Sequence, residues 1–573
     1  MTPARPVRGV AGPARFLPVL QWLPAYRLAW LPADLAAGLA LWAVMVPEGM
    51  AYAGIVGVPP IMGLYTLVPP LVAYALLGTS RRLVVGPDTA TGLISALTVG
   101  AVAAHGSADF NALTSTLAVM IGALFLAVGL LRMGWVAAFI PTPVMRGFIE
   151  GLVLVTIIGQ VPHLLGIAGG SGSFFDKLAA VLRNLPEMRA LPALTGLLSL
   201  AAMLLMRRLS PRLPAALIVA AAATIAVVLL RGAEAGIDVV GTLPSGMPHL
   251  ALPRLDPVLL RELAPGALAI VLLGYAEALG AATAATEGDE TIEPNQELIA
   301  HGPANILSGL FGGFLAVGSL SKTSVAISAG GRSQLANLIG AALCFLTLLW
   351  LTPLFHDMPH AGLAAIVIAA MLHLQRPGYI VALARRSRSE LALAAMAFVG
   401  VLSLGVLQGI GLGVALSLLM VVYRTTHPNA AALGQMPGEQ SYRDLRRHPE
   451  ARTYPGLLIW RPGGDLFFAS IGRVASDLEA AVAAAVPRPS RVLLDASSVD
   501  YVDTTACDAL LRLIGALRER GITLAMARVR DEVRATLARS GVEAALGPGA
   551  FYERITDGVR AWQKAQAMDE PGA

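Results

Sequence analysis

Cysteine is nearly absent from this 573-residue chain. Cys344 lies in an apolar run and Cys507 in the polar last part, which excludes a disulfide framework. Charge is scarce too: Asp, Glu, Lys and Arg make up 14% of residues against 56% hydrophobic, with a mean hydropathy of +0.68. That composition lies far from soluble domains and near polytopic membrane proteins. Among the charged residues lysine is rarest, with three in all: Lys177, Lys322 and Lys564. The start is rich in Pro and Arg and lacks a short apolar core with a small-residue cleavage site, so the first span is expected to stay as an anchor. No nucleotide loop, metal-ligand cluster or nucleophile triad is present, and neither an enzyme nor a cofactor or metal is expected. His163, His301, His356 and His373 are scattered and read as structural or interfacial.

The net charge of +5 does not argue for nucleic acid, because the arginines sit largely in short loops and near the ends. Arg5, Arg8, Arg15 and Arg27, then Arg81-Arg82, Arg207-Arg208 with Arg212, and Arg385-Arg386 with Arg388 are placed inside. The acid-bearing stretch His105 to Asn111 falls outside; Lys177, Arg183, Arg189, Arg254 and Arg261 weaken this pattern without reversing it. Both termini are thus expected to be cytoplasmic, in a multi-pass protein of the plasma or inner membrane.

From Leu31 to Arg424 apolar runs recur at roughly the length a bilayer demands of a helix. We read about fourteen segments, seven on each side of the polar stretch Arg231 to Arg261. The first half has Asp34 to Val56, Ile61 to Leu77, a short helix from Asp88, Leu113 to Leu131, Val144 to Leu165, Leu191 to Met206 and Pro214 to Leu230. The second has Pro265 to Thr286, Ala304 to Phe314, a short helix from Ser321, Leu335 to Leu354, Leu363 to Leu374, Leu391 to Leu407 and Gly411 to Tyr423. An odd count per half makes two similar halves insert with opposite orientation, an inverted repeat that here rests on segment order.

The third segment of each half is interrupted, by Gly86-Pro87-Asp88-Thr89 and by Gly318-Ser319-Leu320-Ser321-Lys322. Irregular backbone at membrane depth survives only where protein or a polar cavity satisfies it, and paired interruptions point to a transport site. Two half-helices aiming their amino ends at one point offer free N–H groups and two positive dipole ends to an anion.

After Thr425 charge rises and the runs shorten. Strands are expected at Leu457 to Trp460, Leu466 to Phe468, Val492 to Leu494 and Ile522 to Ala525, with helices at Ser476 to Ala485, Thr505 to Glu519 and Asp531 to Ser540. The expected organisation is a cytosolic segment 1–30, a membrane domain 31–426, a linker 427–453, a small α/β domain 454–565 and a tail 566–573.

Three ordered motifs, Val46-Pro47-Glu48-Gly49-Met50-Ala51-Tyr52-Ala53, Pro59-Pro60-Ile61-Met62-Gly63-Leu64-Tyr65-Thr66 and Gly78-Thr79-Ser80-Arg81 leading to Val85-Gly86-Pro87, closely resemble the SulP family of sulfate-permease-like anion transporters. Gly318 to Val325 followed by Gly330 to Ala336 resembles the family's tenth segment, and Val492 to Asp495 with Val499 to Ala506 resembles its STAS domain. The resemblance implies a seven-plus-seven inverted repeat with core and gate domains, alternating access, a homodimer, and a small anion held between the starts of segments three and ten, facing segments one and eight.

On that resemblance the substrate contacts are Glu48, Tyr52, Gly86, Asp88, Thr89, Ser319, Leu320, Ser321 and Lys322. Lys322 stands where the family usually has arginine, and either meets the anion or pairs permanently with a core acid. Glu48 replaces a common glutamine; four residues on, Tyr52 shares its helix face. Asp88 either caps its helix or competes with the anion. Several carboxylates around an anion site imply that one binds a proton or cation during transport, with Glu277, Glu48 and Asp88 as candidates. Glu277 matches an acidic coupling position; Ala281 stands where sodium-coupled relatives carry a hydroxyl, which favours protons. Thr504 and Thr505 precede a helix in the STAS-like tail and read as a phosphorylation site or a docking surface for a cytosolic partner. The expected activity is proton-coupled symport of a sulfate-, bicarbonate- or dicarboxylate-class anion. The other readings are a nucleobase or weak-acid permease of the same fold, which Lys322 and the tail disfavour, and a membrane-tethered signalling scaffold.

Overall fold

The computed structural model describes residues 17–569 apart from 140, 171, 210–213, 249, 289 and 376, so Arg5, Arg8, Arg15 and Arg212 of the charge reading lie outside the described residues. The chain divides into two compact units, with the boundary between Ser417 and Leu418.

The first half of the membrane unit contains α1 (Val19–Trp22), α2 (Leu31–Val56), α3 (Pro60–Tyr65), α4 (Val68–Leu77), β1 (Val85–Gly86), α5 (Thr89–Gly100), α6 (Ala108–Leu130), α7 (Thr142–Leu165), α8 (Phe174–Asn184), α9 (Ala190–Leu209) and α10 (Ala215–Leu229). The second half contains α11 (Pro257–Ala284), α12 (Pro294–Leu310), β2 (Val317–Gly318), α13 (Leu320–Ser328), α14 (Leu335–Leu346), α15 (His360–Leu374), α16 (Pro377–Arg386), α17 (Arg388–Ser403) and α18 (Val406–Thr426), the last running across the boundary between the units. Among the described residues eight helical stretches are long and apolar enough to cross a bilayer, and three shorter apolar helices accompany them. Leu194, Leu198 and Leu205 on α9 and Leu419, Val422 and Tyr423 on α18 point outward, exposures that a lipid environment explains and water does not.

The two halves repeat the same order. Each runs through two spans, a short strand, a short helix and two more spans, then an amphipathic helix (α8 or α16) before the last two. That extra helix was not read from the sequence, because its polar face breaks the apolar run.

Several boundaries also differ from expectation. The ninth span begins at Pro294, not Ala304, because Gln296, Glu297, His301 and Asn305 are polar yet buried. The eighth begins at Pro257, with Asp256 as its cap and Pro265 inside the helix. The last two spans part at Leu404 and at Gly405, whose φ of +105° suits glycine, rather than between Leu407 and Gly411.

The second unit is a six-stranded sheet in the order β4-β3-β5-β6-β7-β8, from β3 (Ala431–Gln435), β4 (Tyr442–Asp444), β5 (Leu457–Arg461), β6 (Arg491–Asp495), β7 (Thr523–Ala527) and β8 (Phe551–Tyr552). The run β5 to β8 is parallel, and β3 pairs antiparallel with β4 and β5. Helices α19 (Ile471–Ala484), α20 (Thr504–Glu519), α21 (Asp531–Arg539), α22 (Val542–Leu546) and α23 (Ile555–Asp569) accompany it. The segment 427–453, expected as a linker, thus carries two strands of this sheet. The expected strand at Leu466 to Phe468 is one bridge, Leu466 to Val502, followed by a turn in which Phe467 N–H donates to Ser470 Oγ.

Candidate anion site

The two interruptions meet. β1 and β2 pair antiparallel, Val85 opposite Gly318 and Gly86 opposite Val317, so α5 and α13 set out from one crossing in opposed directions. The extended residues satisfy part of each other's backbone, as irregular chain in a bilayer requires. Ser319 N–H donates to Val84 O at 2.9 Å, and Val84 N–H to Thr323 Oγ1 at 3.0 Å. Both strand glycines are closely packed, Gly318 against backbone and Gly86 against the end of a flexible side chain. A Cβ on Gly318 would lie 2.9 Å from Ala278 Cα on α11, and one on Gly86 2.8 Å from the Met45 methyl on α2.

The two helix starts differ in a way the sequence left open. Asp88 is the N-cap of α5, its carboxylate accepting from Ala90 N–H at 2.9 Å and Thr91 N–H at 3.4 Å. Ser319 occupies the same place on α13 but makes no cap; its hydroxyl lies 3.1 Å from Ser321 Oγ. Leu320 and Ser321 are exposed. One amino end is filled by a carboxylate, and the other is open and reachable.

Lys322 lies beside this open end and is buried, at 1% exposure. Its Nζ donates to Pro87 O at 2.8 Å, stands 3.5 Å from Glu48 Oε2 and lies 4.9 Å from the centre of the Tyr52 ring. Attraction between unit charges at that separation is worth about 5 kcal/mol at an effective dielectric near 20, while removing each ion from water costs several kcal/mol. The ion pair alone therefore barely breaks even, and the Pro87 carbonyl and the Tyr52 face supply the remainder. Glu48 Oε2 has no hydrogen bond. Tyr52 and Thr89 are both buried.

Glu277, on α11 one residue before Ala278, is half-buried and has no hydrogen bond or cation partner among the described residues. The crossing thus gathers Glu48, Tyr52, Gly86, Asp88, Thr89, Glu277, Ser319, Leu320, Ser321 and Lys322 from α2, α5, α11, α13 and the two strands.

Sequence reasoning passed over the polar residues that brace the crossing. Gln334 Nε2 donates to Ser80 O and Leu83 O, and Asn337 Nδ2 to Leu83 O, ahead of β1. Ahead of β2, Ser115 Oγ donates to Gly313 O, and Thr66 Oγ1 accepts from Phe314 N–H. Thr91 and Ser95 on α5 have buried hydroxyls without a partner. The available signal was polar residues inside apolar runs. Thr504 and Thr505 lie apart in the second unit, exposed at the start of α20, whose cap Asp503 accepts from Ala506 N–H. Of the scattered histidines, His301 is wholly buried between Tyr74 and Phe125, and His163 faces His360 with ring centres 6.5 Å apart.

Residues 31–397 match the sulfate permease family and residues 448–557 the STAS domain. The chain belongs to the sulfate permease family. A probable sulfate transporter of Mycobacterium tuberculosis is 34% identical over 545 residues, covering 94% of this chain and 96% of its own. The chloroplastic sulfate transporter 4.1 of Arabidopsis thaliana is 31% identical, covering 95% of this chain and 82% of its own. Among solved structures, murine solute carrier 26 family member A9, an anion transporter in the inward-facing state, superposes with a TM-score of 0.88 at 23% identity over 98% of this chain and 96% of its own. The transmembrane domain of the cyanobacterial bicarbonate transporter BicA gives 0.59 at 24% identity over 69% of this chain and 98% of its own. These last two likenesses speak to fold alone.

Proposed function

We propose that this sulfate permease family member carries sulfate, with bicarbonate and dicarboxylates as the neighbouring substrate classes, across the plasma or inner membrane together with a proton. The observation that carries this reading is the open, exposed amino end of α13 beside a buried ammonium, opposite a helix whose own amino end is already capped by Asp88. Unpaired N–H groups and the dipole of α13 hold the anion, with Ser319 and Ser321 offering hydroxyls at its edge. Lys322, neutralised by Glu48 at rest, lends its charge when the anion arrives or when Glu48 takes a proton.

Glu277 and Asp88 supply the coupling. A carboxylate beside an anion site opposes binding unless it takes up a proton or cation, and Glu277, unlike Asp88 with its two N–H donors, has no donor among the described residues. Proton uptake at Glu277 lowers the negative charge that opposes an incoming anion, so one binding step favours the other. Movement of the crossing as one body past the remaining helices gives an elevator-like alternation, with both termini cytoplasmic and two copies forming a homodimer. Radiolabelled sulfate, bicarbonate and succinate, offered to purified protein in liposomes with and without a pH gradient, test the reading. Accumulation of sulfate above equilibrium under an inward proton gradient is expected. Uptake of none of the three, or uptake indifferent to the gradient, refutes it.

A further inference from the structure

An extended segment in the middle of a membrane protein needs a partner for every N–H and C=O. β1 supplies partners at Val317 and Gly318, but Ala316, the residue before them, has no strand beside it. A side chain fills the gap. Asn305 on α12 donates from Nδ2 to Ala316 O at 2.9 Å and accepts from Ala316 N–H at Oδ1 at 2.8 Å, so the amide acts as a one-residue strand. A third bond, Nδ2 to His301 O at 2.9 Å, ties the amide to its own helix, and Asn305 is wholly buried. Among the described residues it is the side chain that holds the run between Phe314, fixed by Thr66 and Ser308, and Ser319, which bonds Val84.

We propose that Asn305 is a positioning residue for the transported anion: by clamping both polar groups of Ala316 it sets the depth and direction at which the open end of α13 presents its N–H groups. This rests on the reading that the anion sits at that end. The site tolerates little error, since a hydrogen bond weakens steeply with misalignment and Ala316 lies only four residues before Leu320.

Asn305→Asp keeps the size and the Oδ1 acceptor but sets an oxygen against the carbonyls of His301 and Ala316. Asn305→Gln keeps both functions on a stem one methylene longer, and serves if the aspartate variant does not fold. Sulfate uptake into liposomes is measured with the thermal midpoint of each purified variant. The expected result is a half-saturating sulfate concentration raised about tenfold, with the maximal rate per folded molecule within about twofold of the parent. A role confined to stability lowers the midpoint and the yield and leaves half-saturation unchanged. Either variant, recovered folded with the parent's half-saturating concentration, overturns the proposal. Ser321→Asp separates this failure from that of the site itself. If it leaves uptake unchanged, the anion is not held at α13; if it abolishes uptake while the Asn305 variants bind normally, only the positioning role falls.

Discussion

Lys322, Glu48 and Glu277 show what a buried charge costs and what it can do. Lys322→Met leaves Glu48 buried with its counter-charge gone, a change worth about 3–5 kcal/mol of stability, and a lowered thermal midpoint is expected. Adding Glu48→Gln should return much of that stability without returning transport. Recovery of uptake by the double variant would mean that the pair is only a structural bridge. Glu277→Gln should abolish proton-driven accumulation while leaving anion exchange partly intact, and unchanged pH-dependent uptake by this variant would remove the coupling assignment.

Asp495 in the STAS unit gives a pH test outside the membrane. Burial pushes its carboxyl up, but hydrogen bonds and charge from Arg528 and Arg461, at 2.7 and 2.8 Å, outweigh this and hold it below its ordinary 3.8. A carboxylate depressed in the folded state stabilises fully above about pH 4 and loses that contribution as the pH falls through the depressed value. Asp495→Asn should therefore unfold this unit earlier than the parent at pH 7, with the gap narrowing below pH 4. A gap that stays constant with pH would show the carboxylate's charge to be irrelevant.

At the scale of elements, the crossing of β1 and β2 sets the tolerance. Gly318→Ala should abolish transport and reduce folded yield, because its methyl meets the backbone of α11. Gly86→Ala should be milder, because the obstacle is the flexible end of Met45. Uptake assays with thermal unfolding rank the two, and the reverse order would contradict the packing described. The Gly, Pro and hydroxyl interruptions placed both broken helices in the sequence, since such residues are costly in a spanning helix. The paired strands and the Gln334 brace were not legible because their partners lie far off in the chain, and the Asn305 brace and the early start of α12 were not because they use polar residues that look out of place until buried together. The choice between cap and competitor at Asp88 likewise needed geometry, since both readings use the same residue.

Across the whole molecule, element order repeats in two halves, and the strands that precede α5 and α13 meet antiparallel, as an inverted repeat requires of its third elements. Segment order alone revealed this repeat. β3 and β4 escaped notice because charged, proline-bearing chain reads as a connection until it lies beside a sheet edge. The central claim, that the anion is held by the open end of α13, is met most directly by locating it. Crystals grown with selenate, a heavier isostere of sulfate, and measured at the selenium edge should show a peak within about 4 Å of the Leu320, Ser321 and Lys322 amides, the distance that N–H to oxyanion bonds impose. A peak at the Asp88 end of α5, or no peak along the crossing, would contradict it.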